Sequence, residues 1–175
     1  MVMQRNVLEY LEQTVARFPN KVAIEDENGD VTFSQLQKNA LAISGALIEQ
    51  GLQGCQPVAV YMPKSIKAIE GFLGVLYAGG FYVPLDTSNP TKRIDAILKN
   101  IAPKFILSEE KHWNLLCEIN EDVCFIDLQQ AVKNKTALME FSTEIRPRQK
   151  VEYTSKQPTH GHLPPTPLRG LLVGP

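Results

Sequence analysis

The sequence predicts an α/β fold: a mostly parallel sheet flanked by helices, followed by an irregular carboxyl-terminal tail. Three observations carry this. From Pro57 onward, short apolar runs alternate with stretches of helical periodicity, the pattern of successive βαβ units. Pro57-Val58-Ala59-Val60-Tyr61 and Lys104-Phe105-Ile106-Leu107 are apolar almost throughout, as strands covered on both faces are. Residues 141–175 hold six of the twelve prolines, a density that helix or central strand does not sustain.

Each element has its own reason. Val7, Leu8, Leu11, Val15 and Phe18 recur at helical spacing. Asn6 is placed to cap that helix, with Glu9 in the capping-box position, and Pro19 stops it. Lys21–Glu25 and Val31–Phe33 read as a hairpin around Asn28-Gly29. Ser34, with Gln37 three residues on, is expected to cap a second helix. Its inner face is Leu36, Ala40, Ile43 and Leu47, and Gly51 ends it. After the strand at 57–61, Ser65 caps a third helix with Ile69, Phe72, Leu73 and Leu76 on its buried face. Gly79-Gly80 ends that helix before the short strand Phe81-Tyr82-Val83. Pro90 stands near the start of a fourth helix, where its missing N–H matters least, with Thr87 or Ser88 as the expected cap. The buried stripe there is Ile94, Ile97, Leu98 and Ile101. A strand at 104–107, a weak helix at 109–118, a strand at 123–126 and a short helix through Leu128 and Val132 complete the body.

Lys and Arg total 18 against 19 Asp and Glu, a formal charge of -1. That balance gives no reason to expect nucleic acid or an anionic membrane as partner. The total conceals two parts: 13 basic and 17 acidic residues in 1–140, and 5 basic and 2 acidic in 141–175. Three cysteines, an odd number, suit a reducing compartment. There is no run of about 20 apolar residues, and Met1–Asn6 lacks the long apolar stretch of a signal peptide. The expected location is the cytoplasm.

Familiar chemical signatures are absent or weak. Neither G-x-x-x-x-G-K-[ST] nor G-x-G-x-x-G occurs. Gly71, Gly74, Gly79 and Gly80 read as helix packing and a tight turn. Cys117 and Cys124 read as small buried hydrophobes, and His112 beside Trp113 as a packing pair. His160-Gly161-His162 lacks the further ligands of a structural zinc. Asp26, Glu27 and Asp30 form an acidic turn without the twelve-residue calcium pattern. No metal ligand and no catalytic residue is assigned.

One stretch stands apart: Leu76-Tyr77-Ala78-Gly79-Gly80-Phe81-Tyr82-Val83-Pro84-Leu85-Asp86. It resembles the second core motif of the amino-acid adenylation domains of nonribosomal peptide synthetases, within the AMP-binding, acyl-adenylate-forming superfamily. Tyr77 and Phe81 stand where that motif usually has lysine and alanine. The surroundings are similar in order and spacing: Phe18-Pro19-Asn20-Lys21-Val22-Ala23, Val31-Thr32-Phe33-Ser34-Gln35-Leu36, the strand from Pro57, Asn89-Pro90-Thr91-Lys92-Arg93-Ile94, and Lys104–Ser108. The resemblance covers about residues 4–135. It implies the amino-terminal subdomain of the adenylate-forming enzyme fold, with the motif residues Leu76, Ala78, Gly79, Gly80, Tyr82, Val83, Pro84, Leu85 and Asp86 as scaffold rather than chemistry.

The resemblance also implies a reaction. A carboxylate attacks the α-phosphorus of ATP, releasing pyrophosphate and leaving an acyl-adenylate for a thiol on a phosphopantetheine carrier or coenzyme A. ATP and Mg2+ belong to the full-length family, and the partner is a carrier domain or larger synthetase. Charge builds on phosphate oxygens, so such chemistry needs N–H donors, a cation and a lysine. The family's phosphate loop begins Tyr-Thr-Ser-Gly. Here Tyr153, Thr154 and Ser155 match its start, and Lys156 stands at the first loop glycine. The expectation is an adenylation-domain portion over 4–150, then a truncated or out-of-frame proline-rich tail over 151–175. No cofactor is expected on such a fragment, and it is expected to be inactive alone. The alternative is a non-catalytic remnant or interaction module on the same fold.

Overall fold

The computed structural model describes residues 6–119 and 123–139. Helix α1, Val7–Arg17, is capped by Asn6, whose Oδ1 accepts the Glu9 N–H at 3.0 Å. Leu8, Leu11 and Val15 face a small core. Phe18, expected on that face, is 56% exposed. It has left helical geometry as the C-cap, with φ -137°. Strands β1, Val22–Asp26, and β2, Gly29–Thr32, form the expected antiparallel hairpin. Glu27-Asn28 make its turn, and Gly29, at φ +135°, opens β2 opposite Asp26.

Helix α2, Phe33–Glu49, starts earlier than expected. Thr32, not Ser34, is the cap, and Gln35, not Gln37, completes the capping box. The Thr32 hydroxyl accepts the Gln35 N–H and the Gln35 carboxamide accepts the Thr32 N–H, at 3.3 and 3.0 Å. Thr32 ends the hairpin, so the strand hands directly to the helix. Leu36, Ala40, Ile43 and Leu47 are all buried.

A four-stranded parallel sheet follows. Strand β3, Pro57–Tyr61, leads to α3, Ile66–Tyr77, and to β4, Phe81–Leu85. Helix α4, Thr91–Ile101, leads to β5, Phe105–Ser108. A 3-10 turn at Glu110–His112 runs into α5, Trp113–Ile119, before β6, Cys124–Asp127, and α6, Leu128–Met139. The spatial order is β4-β3-β5-β6. The chain winds out from β3 to β4, then crosses back to β5, so the winding reverses between β3 and β5.

Helices cover both faces, as the apolar strands require. Val58, Val60, Phe105 and Leu107 pack with Ile43, Leu47 and Val75 and with α6 through Leu128 and Ala131. On the other face, Ala59, Tyr61 and Ile106 meet Ile94 and Leu98 of α4 and Leu116 of α5. Leu11, Val31, Leu36, Ala40 and Leu73 join α1 and the hairpin to α2 and α3.

Helix α3 buries a different face from the one expected. Ala68, Glu70, Gly71, Leu73, Gly74 and Val75 are buried, whereas Ile69 is 38% exposed. The reason is close approach. A Cβ on Gly74 would lie 2.6 Å from Ile43 Cγ2, so no side chain fits at that position against α2. Leu73, expected on the buried face, is buried, and Ile69 sits at the margin.

Helices α2 and α3 end alike at the amino edge of the sheet. The Gly51 N–H reaches the Ile48 carbonyl and the Leu52 N–H the Leu47 carbonyl, both at 3.0 Å. Gly79 and Gly80 repeat this with Leu76 and Val75, both at 3.0 Å. These are paired Schellman closures, with Gly79 at φ +81°. The two turns are stitched together: the Cys55 N–H donates to Gly79 O at 2.8 Å and the Phe81 N–H to Gln56 O at 3.0 Å.

Pro84 extends β4 beyond the expected three residues. Phe81 donates towards β3 and Leu85 O accepts from Met62 there, so Pro84, at the alternate register, turns its missing N–H to the open edge. At α4 the expected cap is replaced. Pro90 occupies the N-cap without a side-chain bond. Asp86 instead closes a turn on the Ser88 N–H at 2.9 Å, which takes Thr87 and Ser88 away from the helix end. Cys117 is exposed and Cys124 half-buried, so the two are not the buried pair expected.

Candidate functional site

The carboxyl edge of the sheet gathers most of the polar groups whose environment is perturbed. In a doubly wound sheet, ligands bind beyond this edge near the reversal in strand order. Strand β3 delivers Tyr61 there, β5 delivers Ser108 and β6 delivers Asp127, at one level of the register. The hairpin and the first turn of α3 close one side.

Asp26 joins these pieces. Its Oδ2 accepts the Ile66 N–H at 2.9 Å and its Oδ1 the Asn28 N–H at 2.8 Å. The hairpin carboxylate thus sits on the amino terminus of α3, beside the cap from Ser65. These backbone donors, Ile66 first, hold the Asp26 carboxyl below its ordinary value. Asp86 is held down similarly by the Ser88 N–H.

An open cleft of about 570 Å³ lies between the hairpin, the start of α3 and the end of β4. Ile24, Met62, Ile66, Ile69, Phe72 and Pro84 supply apolar lining, and Glu25, Asp26, Lys64 and Asp86 supply charge. Phe72 stacks on Tyr82 with ring centroids 4.4 Å apart.

Beyond β5, Glu109 pairs with Lys67 of α3 at 2.8 Å and with Lys111. The bonds to Lys111 and Lys67 lower its carboxyl to about 2. His112 meets Tyr61 edge to face at 5.2 Å. Burial first, then Lys111, lowers the imidazole below its ordinary value. Burial and the nearby Asp86 raise the Tyr61 phenol. Asp127 accepts the Gln130 N–H at 2.8 Å and the Glu110 N–H at 3.1 Å, fixing the start of α6 and the 3-10 turn.

The motif at 76–86 spans the domain from edge to edge. Leu76, Ala78, Gly79 and Gly80 close α3 at the amino edge. Tyr82 and Val83 lie in β4, Leu85 is 2% exposed in the core, and Pro84 and Asp86 reach the cleft. Tyr77 places its hydroxyl 3.3 Å from Gln37 Nε2, and Phe81 is 48% exposed. Tyr153, Thr154 and Ser155 lie outside the described residues, as does His160-Gly161-His162.

Sequence reasoning missed Lys67, Glu109 and the bridging role of Asp26. Glu109 had a readable signal, since it directly follows an apolar parallel strand. Asp26 had none, because its partner is 40 residues away. Among the described residues, no three His, Cys, Asp or Glu side chains converge as metal ligands. No helix among them is long and apolar enough to cross a membrane.

Comparison with known proteins places this arrangement. The chain is similar to tyrocidine synthase 1 of Brevibacillus parabrevis, 31% identical over 153 residues, covering 86% of this chain and 14% of that protein. Gramicidin S synthase 1 of Brevibacillus brevis is 34% identical over 115 residues, covering 66% of this chain and 10% of that protein. Among solved structures, VinN shares the fold with a TM-score of 0.71 at 20% identity, over 79% of this chain and 36% of that one. ATP-bound MatB from Rhodopseudomonas palustris does so with a TM-score of 0.66 at 23% identity, over 75% of this chain and 28% of that one. The chain thus spans a small part of the curated relatives it matches. The profile for AMP-binding enzymes matches residues 11–167, and the chain belongs to that family.

Proposed function

We propose that this chain supplies scaffold from an ATP-dependent ligase that activates an amino acid, or another carboxylic acid, as an acyl-adenylate for transfer to a thiol. The observation that carries the reading is the family match over 11–167, together with the motif at 76–86. That motif here forms a helix closure, an edge strand and one cleft wall. The described residues position a sheet edge; the phosphate-handling groups belong to other parts of such a ligase. ATP and Mg2+ are its proposed cofactors, and a phosphopantetheine carrier domain or a larger synthetase its proposed partner. The similarity to a dimodular nonribosomal peptide synthase of Bacillus subtilis favours amino acids as substrates. The proposed location is the cytoplasm.

ATP–pyrophosphate exchange by the purified 175-residue chain, offered mixed amino acids and magnesium, tests this. The expected result is exchange no greater than a protein-free blank. Robust exchange would make the chain an enzyme by itself and overturn the scaffold reading.

A further inference from the structure

The turn of the hairpin holds a reactive pair. Asn28 is the one asparagine in the sequence followed by glycine, and both residues are exposed. Without a Cβ, glycine leaves its backbone nitrogen unshielded. A Cβ built on Gly29 would find no atom within 4 Å, so nothing packs over that side of the pair. The ladder between β1 and β2 ends at the Asp26–Gly29 rung. A terminal, exposed rung is the part of a hairpin that opens most easily.

The same turn is tied to α3 through Asp26. Its Oδ1 accepts the Asn28 N–H at 2.8 Å and its Oδ2 the Ile66 N–H at 2.9 Å. The Asn28 carboxamide and the Gly29 N–H add smaller hydrogen bonds to this carboxylate. Ser65 Oγ separately accepts the Ala68 N–H at 3.3 Å. The first turn of α3 thus has one side-chain acceptor from the hairpin and one of its own.

We propose that Asn28 is a self-modification site whose product loosens the joint between the hairpin and α3. With the last rung open, the Gly29 nitrogen attacks Asn28 Cγ. The new N–C bond forms as the Cγ–Nδ2 bond breaks. The Gly29 proton passes through solvent to the leaving nitrogen, which departs as ammonia, and a cyclic imide remains. Water then opens the ring at either carbonyl, giving aspartate or isoaspartate. Either product sets a second carboxylate beside Asp26, where the carboxamide had donated a hydrogen bond, and like charges repel there. Isoaspartate also adds a backbone methylene between Asp26 and Gly29, so the short turn no longer closes that rung. Both changes draw Asp26 away from the Ile66 N–H. The proposal goes beyond the ligase reading and does not depend on it.

The test incubates the full 175-residue chain in mildly alkaline buffer and follows it by peptide mass spectrometry and NMR amide exchange. Asn28 is the sole asparagine of the tryptic peptide 22–38. That peptide is expected to gain the mass difference between NH2 and OH faster than any other asparagine peptide. Electron-transfer fragmentation should identify isoaspartate in it. In the modified chain the Ile66 amide should exchange at least about tenfold faster, as for loss of a hydrogen bond to a charged group. The Ala68 amide, held by Ser65, should change less. Asn28→Gln should stop the mass gain and keep Ile66 protected. Asn28→Asp should speed Ile66 exchange without any incubation. A mass gain at Asn28 no faster than at the other asparagines overturns the modification site. Unaltered Ile66 exchange in the modified chain overturns its coupling to α3.

Discussion

The two edges of the parallel sheet are built on opposite plans. At the amino edge, α2 and α3 finish in matching glycine closures, and backbone hydrogen bonds from Cys55 to Gly79 and from Phe81 to Gln56 tie the following segments together. Side chains contribute little there, and backbone geometry decides. At the carboxyl edge, the connections carry Asp26, Lys64, Ser65, Asp86 and Glu109, and a cleft stays open. The motif at 76–86 joins the two plans. Its glycines serve the closed edge and its Pro84 and Asp86 the open one. A sequence motif can thus belong to a catalytic family and still be mostly architecture.

Substitutions can break this contrast, and the largest effect belongs to packing behind the closed edge. Gly74→Val would drive a side chain into Ile43, already 2.6 Å from the first added carbon. A loss of about 2–3 kcal/mol is expected, read as a lower urea midpoint. A midpoint unchanged from the parent would mean α2 and α3 are not in such contact. Gly79→Ala forces a side chain to φ +81° and should lose about 1–2 kcal/mol. The converse change sharpens the point. Helix α4 ends at Ala102 in the left-handed region, φ 46°, where α2 and α3 have glycine. Ala102→Gly should gain up to about 1 kcal/mol, visible as a raised midpoint.

The smallest effects concern charge, and two buried-side carboxylates should respond with opposite sign. Glu109, lowered to about 2 by Lys111 and Lys67, releases its proton more readily in the folded state. It stabilises the fold above the ordinary glutamate range, and that contribution is lost as pH falls through about 2. Glu70 is raised by burial, although Asn39 donates to it at 2.7 Å. The folded state keeps that proton longer, so stability falls as pH rises from the ordinary glutamate value through the raised one. Carboxyl NMR titration should find Glu109 far below Glu70. Lys67→Met should move Glu109 upward and Glu70→Gln should remove the opposing slope. Coincident midpoints would contradict the geometry of both.

Much of the fold was legible in the sequence because parallel strands and glycine stops leave local signals. The apolar run at 57–61, Gly51 and Gly79-Gly80 mark elements without reference to distant residues. The misread features depend on a tertiary contact at Gly74 and on local competition between neighbouring polar residues at Thr32 and Asp86. Ile69 looked like core by spacing, but the close approach at Gly74 turns Gly71, Gly74 and Val75 of α3 inward and leaves Ile69 38% exposed. Thr87 and Ser88 looked like caps, but Asp86 folds the chain back on itself. Thr32 displaced Ser34 because the strand and helix share that residue. The site was less legible than the fold. The cleft combines a hairpin, a helix start and a strand end that lie far apart in sequence, and the sequence reading took Pro84 and Asp86 as scaffold rather than as part of a site.

The central claim is that residues 6–139 are interchangeable scaffold of an AMP-binding ligase. The most direct measurement replaces the matched segment of tyrocidine synthase 1 with these residues and reads ATP–pyrophosphate exchange against the unmodified synthase. The account predicts exchange within about tenfold of the parent, ~1.4 kcal/mol in barrier terms. A graft that folds cooperatively by circular dichroism yet shows no exchange would contradict it.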